Sequence, residues 1–309
     1  LAEPQLNGRL LDELLAEWQA PLADVFPITA PPADAALTKI GAARPVCRKS
    51  RAGRTAVPRV VIPVFPGTNC EEESAARFRA AGAEAVLPVF RNRRLEQVEE
   101  SIAELAAQIR RAQILMLPGG FSAGDEPAGA GKYIAAVLRS PAVRDAVEDL
   151  LHRRDGLILG ICNGFQALVR TGLLPYGEYR RPSDDMPTLA RNSVGRHVSR
   201  YVTTTTVSLR EPWLTELSLG ELHTVPVSHG EGRFFSTKDE LERLFANGQV
   251  VFQYCDGDGR PTMEFPANPN GSLAAVEGIC SPDGRVLGKM GHSERTGDGV
   301  AVNVPGRKE

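Results

Sequence analysis

Apolar positions change their spacing repeatedly between Arg59 and Ile161. Continuous apolar runs at RVVIPVF (59–65), EAVLPVF (84–90), QILMLP (113–118) and GLILGI (156–161) read as buried strands. Between them, Leu95, Val98, Ile102, Leu105 and Ile109 recur at three and four residues, which predicts an amphipathic helix. The acidic stretch NCEEESAARFRAAG (69–82) opens another helix, and further helical segments run up to about His152. Strands of continuous apolar character alternating with helices predict a mostly parallel sheet covered on both faces. Right-handed crossovers make the fold α/β and doubly wound. Such sheets bind ligands at the carboxyl ends of their strands, and the turns PGGFSAGD (118–125) and GICNGF (160–165) fall at that edge. Past residue 172 the helical period weakens. RYVTTTTVSL (200–209), QVVFQYC (249–255), SLAAVEGIC (272–280) and RVLGKM (285–290) predict additional C-terminal β-strands of the alternating type, separated by turns.

Residues 1–57 follow a different pattern. Leu10, Leu14 and Trp18, with Leu11 and Leu15 beside them, form an apolar face at helical spacing. Past Pro21 the chain becomes Pro- and Ala-rich, which disfavours a long helix. Between Ala35 and Cys70 there is no acidic residue, whereas Lys39, Arg44, Arg48, Lys49, Arg51, Arg54 and Arg59 all occur there. This segment reads as a solvated basic linker or as a strap across an acidic neighbour. A short amphipathic helix with no core of its own suggests the edge of another domain. The 309 residues accommodate one large α/β domain with an appendage, or two domains.

A net charge of −2 gives no bias toward nucleic acid or membrane surfaces. No apolar run approaches the roughly 20 residues that cross a bilayer. The five cysteines (Cys47, Cys70, Cys162, Cys255 and Cys280) are widely spaced with no CxxC pair. They argue against a disulfide framework and a cysteine-based zinc site, and they fit a reducing cytoplasm. No metal-ligand cluster is visible.

A lone cysteine in an apolar segment is often a small core hydrophobe. Cys162, however, sits in Gly160-Ile161-Cys162-Asn163-Gly164 between an apolar strand and the helix-like FQALV. That is the spacing of a nucleophile elbow, in which the flanking glycines let the chain approach itself closely. The helix beginning at Asn163 puts its positive end beside the sulfur and favours thiolate. A cysteine nucleophile needs a base and a group to orient it. His292, in KMGHSER after the strand-like RVLGKM, is the candidate base, with Glu294 as its orienter. The competing reading of that turn is a solvated Glu294–Arg295 ion pair. The adjacent glycines of PGGFSAGD suit an oxyanion site built from backbone N–H groups. A phosphate loop is disfavoured because Gly131-Lys132 is followed by Tyr133 rather than Ser or Thr.

Together GICNGFQ, PGGFSAGD, GTNCEEE, SHGEGRF and GHSER resemble the class I glutamine amidotransferase domain of the phosphoribosylformylglycinamidine synthase family, over essentially all of residues 59–309. The resemblance implies a flavodoxin-like fold over 58–309 and a Cys-His-Glu triad at Cys162, His292 and Glu294. It implies an oxyanion site from Gly120 or Phe121 together with Asn163, and glutamine-positioning roles for Gln166, Asn192 and Ser193. His229 matches a family motif too, with a satisfied structural histidine as the other reading. The implied activity is glutamine hydrolysis through a Cys162 thioester. The ammonia would go to an ATP- and Mg2+-dependent synthetase domain or subunit that converts formylglycinamide ribonucleotide to the amidine in purine biosynthesis. No cofactor is expected in this chain. EWQAPLADVFP (17–27) resembles the end of the synthetase portion that precedes such a domain in single-chain members, so residues 1–57 are expected to be that tail plus a linker.

Two departures stand out. Many members carry proline on either side of the histidine, where this chain has Gly291 and Ser293, which would loosen the turn. The loop after Gly124 also differs. The alternative on the same fold is a DJ-1/PfpI-like cysteine hydrolase or stress protein. Those commonly place histidine after the elbow cysteine, where this chain has Asn163. A papain-type protease lacks its signature here, and a docking-only domain would not need all three triad residues.

Overall fold

The computed structural model describes residues 5–6, 9–22, 55–122, 131–210, 212–297 and 299–306. Most of the basic segment 35–58, with Cys47, and residues 123–130 of the glycine-rich loop lie outside them. At the start, β1 (Gln5–Leu6) and β2 (Arg9–Leu10) pair antiparallel and lead into helix α1 (Leu11–Gln19). This is the helix that the leucine spacing predicts. Leu14 is half-buried, and Trp18 remains 78% exposed.

The expected alternation then follows. Strand β3 (Arg59–Val61) precedes helix α2 (Glu71–Ala80), and β4 (Glu84–Val86) precedes α3 (Leu95–Arg111). Next come β5 (Ile114–Leu117), α4 (Lys132–Leu138) and α5 (Pro141–His152). Strand β6 (Leu157–Ile161) leads into α6 (Asn163–Thr171) and the short α7 (Leu173–Tyr176). The first two strands are shorter than their apolar runs because Pro63 and Pro88 cannot donate to a ladder. Pairing nonetheless resumes beyond them, through Val64 N–H to the Pro88 carbonyl at 2.9 Å.

The second half supplies β7 (Thr188–Arg191), β8 (Val198–Thr206), β9 (Leu222–His229), β10 (Glu231–Phe235), helix α8 (Lys238–Ala246), β11 (Val250–Tyr254), β12 (Val276–Cys280) and β13 (Val286–Lys289). Nine strands form one sheet in the order β4-β3-β5-β6-β13-β12-β11-β8-β9. Pairing is parallel from β4 through β13 and antiparallel from there to β9. The fold is the expected α/β type, with the additional strands continuing the same sheet. Strands β7 and β10 pair separately.

The apolar core lies between this sheet and its helices, around Val61, Leu115, Ile158, Phe165, Leu168 and Ile279, all essentially inaccessible to solvent. Its functional consequence is positional. The last strand to join the parallel region, β13, comes from the end of the chain and lies beside β6. The turns that follow β6 and β13 therefore leave the sheet at one edge.

Candidate active site

Cys162 occupies the junction of β6 and α6 with φ 51° and ψ −105°, a left-handed region that non-glycine residues avoid. Its backbone is held there because its N–H donates to the Lys289 carbonyl at 2.9 Å, while its carbonyl accepts from Gln166 N–H at 3.0 Å. The glycines on either side act as expected, by different contacts. A Cβ at Gly160 would meet the Gly164 carbonyl oxygen at 2.8 Å, and one at Gly164 would meet the Leu117 carbonyl oxygen of β5 at 2.0 Å.

His292 follows β13 and is 1% exposed, and Glu294 is 4% exposed. The imidazole Nδ1 lies 2.5 Å from Glu294 Oε1, whereas Nε2 is buried without a hydrogen-bond partner. The turn is therefore no solvated ion pair. Arg295 instead donates to Cys70 Sγ at 3.0 Å, and that sulfur lies 3.8 Å from His292 Nδ1. Cys70, just before α2, is a neighbour that the sequence reading quoted in GTNCEEE without assigning it a part. Donor atoms of Cys70, His292 and Glu294 lie within 4.8 Å of one another. Nδ1 and Oε1 are already bonded to each other, and the Arg295 guanidinium on the sulfur opposes a cation there.

The electrostatics revise one expectation. Burial pushes the Cys162 thiol up to about 12; Cys70 and Glu294 add to the rise, and Arg295 and the Asn163 backbone N–H oppose it. The helix terminus thus does not make a resting thiolate, because desolvation of a charged sulfur outweighs it. The Cys162 Sγ lies 3.9 Å from the Ser228 carbonyl at the end of β9.

The expected binding residues divide into two groups. Asn163 starts α6 with its backbone N–H against the sulfur, and its side-chain oxygen accepts from Ser122 Oγ at 2.6 Å, which fixes the glycine-rich turn. Of the two candidate oxyanion donors in that turn, Phe121 is committed elsewhere: its N–H donates to the Gly67 carbonyl at 2.8 Å. This corrects the expectation for Phe121 and leaves Gly120.

Gln166 does not face an open site. Its oxygen accepts from Asn163 Nδ2 at 2.9 Å, and its Nε2 donates to the Glu231 carbonyl. Asn192 is likewise spent, with Nδ2 donating to the His229 carbonyl at 2.8 Å and its oxygen facing His229 Nδ1 at 3.0 Å. That same oxygen also accepts from Gly232 N–H, so His229 Nδ1 carries the proton, and Asn270 Nδ2 approaches Nε2 at 3.5 Å. His229 is pushed down to about 3 by burial first and by His292 and His197 next. It is the satisfied structural histidine. Ser193 is exposed, with its backbone N–H on the Asn270 carbonyl at 3.0 Å.

The histidine turn, expected to be looser without prolines, carries three hydrogen bonds. Gly291 N–H donates to Glu277 Oε1 at 2.6 Å, Lys289 Nζ donates to Ser293 Oγ at 2.8 Å, and His292 N–H donates to the Pro226 carbonyl at 2.9 Å. Neither Glu277 nor Lys289 figured in the sequence reading. Both stand in strands read as the alternating type, in which a charged residue is expected on a solvated face, whereas the structure buries both.

Comparison with known proteins bears on the family and the fold. Residues 57–309 match the family of CobB/CobQ-like glutamine amidotransferase domains. A phosphoribosylformylglycinamidine synthase subunit PurQ of Chlorobium chlorochromatii is 36% identical over 252 residues, 80% of this chain and 92% of that protein. The PurQ subunit of Thermomicrobium roseum is 36% identical over 241 residues, 78% of this chain and 88% of its own length. A chain in the structure of PurLQS from Thermotoga maritima superposes with a TM-score of 0.55 at 25% identity, covering 77% of this chain and 89% of that one. A strained cysteine elbow beside a buried His–Glu pair, on this sheet and with these relatives, places the chain in the CobB/CobQ-like glutamine amidotransferase family, among the glutaminase subunits of phosphoribosylformylglycinamidine synthase.

Proposed function

We propose that this chain hydrolyses L-glutamine with Cys162 as nucleophile and passes the ammonia to an ATP- and Mg2+-dependent synthetase partner in the cytoplasm. The partner uses it to convert formylglycinamide ribonucleotide to formylglycinamidine ribonucleotide. The reading rests on one observation above all. Cys162 and His292 follow adjacent parallel strands at one sheet edge, and the imidazole has one nitrogen bonded to Glu294 and the other buried with none.

With Nδ1–H donating to Glu294, Nε2 is the atom that accepts the thiol proton as Sγ bonds to the carboxamide carbon. The tetrahedral oxyanion sits on backbone N–H groups of Gly120 and Asn163. His292 then passes that proton to the amide nitrogen, the carbon–nitrogen bond breaks and ammonia leaves. A water attacks the thioester, gives one proton to His292 and releases glutamate as the proton returns to sulfur. Because the resting thiol is held protonated by burial, attack depends on His292 rather than on a standing thiolate.

Gln166, Asn192 and His229 support this site from behind by tying the β9–β10 turn to α6. Ser193 is the exposed member of the group, open to a glutamine contact. Residues 1–57 form the tail of a synthetase portion and a linker, supported by the resemblance of residues 17–27 and by the exposed Trp18. The test is Cys162→Ala in the assembled enzyme. Glutamine-dependent synthesis is lost while synthesis supplied with free ammonia persists; equal loss of both removes the ammonia-donor role.

A further inference from the structure

Two buried charged side chains next to the histidine turn have no part in the chemistry above. Glu277, on β12, is inaccessible to solvent, and Lys289, the last residue of β13, is 5% exposed. Among the described residues neither has an ion-pair partner. Glu277 Oε2 is buried with no hydrogen bond, and the Lys289 ammonium lies 4.7 Å from the centre of the Phe252 ring. Burying an uncompensated charge is costly, and an apolar residue on an interior strand avoids the cost. Each group instead spends its contact on the turn. Glu277 receives the N–H of the residue before His292, and Lys289 donates to the hydroxyl of the residue after it.

We propose that Glu277 and Lys289 are positioning residues that clamp His292 from both sides and set the imidazole against Glu294. This rests on the reading of His292 as the base. The packing around Gly291 is matched to the clamp. A Cβ there would come within 2.8 Å of Glu277 Oε1 and 2.6 Å of Val225 Cγ2, so the backbone can approach the carboxylate only as glycine. A proline at 291 would lack the N–H that Glu277 accepts. The Glu277 main chain adds a second tie, its carbonyl accepting from Met290 N–H at 3.2 Å. Residues 290 to 293 are thus held by the side chains and backbone of two neighbouring strands rather than by locked dihedrals.

The experiment compares Glu277→Leu, Glu277→Gln and Ser293→Ala in the chain assembled with its synthetase partner. It reads steady-state glutamine hydrolysis and the downfield proton resonance of the short His292–Glu294 hydrogen bond. Misplacing a base by a fraction of an ångström lowers turnover without changing substrate contacts, so Glu277→Leu lowers kcat by roughly 10- to 100-fold with KM for glutamine little changed. The resonance broadens or disappears. Glu277→Gln, which keeps an accepting oxygen for Gly291 N–H, recovers most of the kcat and the resonance. A folded Glu277→Leu with the parent kcat and an intact resonance overturns the proposal. Should that variant not fold, Ser293→Ala decides: a lowered kcat at unchanged KM supports the clamp, and the parent kcat overturns it. If the unsubstituted complex hydrolyses no glutamine, the base assignment fails, while the resonance in the variants still reports whether the clamp holds the ring.

Discussion

At the residue scale, two buried polar side chains with opposite duties stand out. His292 keeps one ring nitrogen unpartnered, whereas His229 spends both. The histidine with a spare nitrogen is the one equipped to move a proton. His229 is held neutral, and the sign of its effect on stability follows. Its native value is about 3 against an ordinary 6.5, so between those limits the unfolded chain binds a proton that the native chain refuses. The His229 contribution is complete above the upper limit and is lost as pH falls through the window, with a slope of about 1.4 kcal/mol per pH unit. Urea midpoints measured across that window should show this slope in the parent and a flatter one in His229→Asn. Parallel slopes would exclude His229 as the titrating group.

At the element scale, the strand–elbow–helix unit depends on how closely α6 approaches β5. An alanine at Gly164 would gain about 1 kcal/mol of intrinsic helix preference. Its Cβ would lie 2.0 Å from the Leu117 carbonyl oxygen, which belongs to the central sheet and cannot swing aside as a side chain could. The collision wins. Gly164→Ala is expected to destabilise the fold by about 2–3 kcal/mol and to slow glutamine hydrolysis by shifting Cys162. A raised denaturation midpoint would refute the close packing of α6 on β5. Helix α8 shows an element whose local signal went unread. Thr237 caps it by accepting from Glu240 N–H at 3.3 Å, the Thr-x-x-Glu pattern of a capping box.

At the scale of the whole molecule, the nucleophile is buried. Cys162 is 5% exposed with its thiol pushed up to about 12, and the Phe121 N–H is bonded to Gly67 rather than offered to a substrate. A partner that favours a conformation in which Cys162 is accessible raises turnover by the free energy with which it prefers that state. The isolated chain is therefore expected to hydrolyse glutamine slowly, with a rise in kcat when the synthetase partner is added. Equal rates with and without the partner would break the coupling. Among the described residues no helix is long and apolar enough to cross a membrane.

Local patterning was enough to place β3, β5, β6, α3 and the elbow around Cys162, because buried strands, amphipathic helices and tight turns each impose a short-range period. It also singled out His292 and Glu294, two residues apart on one turn. Long-range placement was another matter. That β13 joins the parallel sheet beside β6, setting His292 at the edge where Cys162 emerges, depends on strand order, which no local period encodes. The strand Leu222–His229 was missed because it is an outer strand that contains Pro226, a residue that disfavours a strand reading, with partly exposed positions among its buried ones. Composition alone cannot tell whether a buried amide such as Gln166 or Asn192 meets substrate or closes an internal bond. Nor can it foresee that Glu277 and Lys289 hold the turn where many family members carry prolines, since a hydrogen bond between separate strands exists only once the sheet has brought them together.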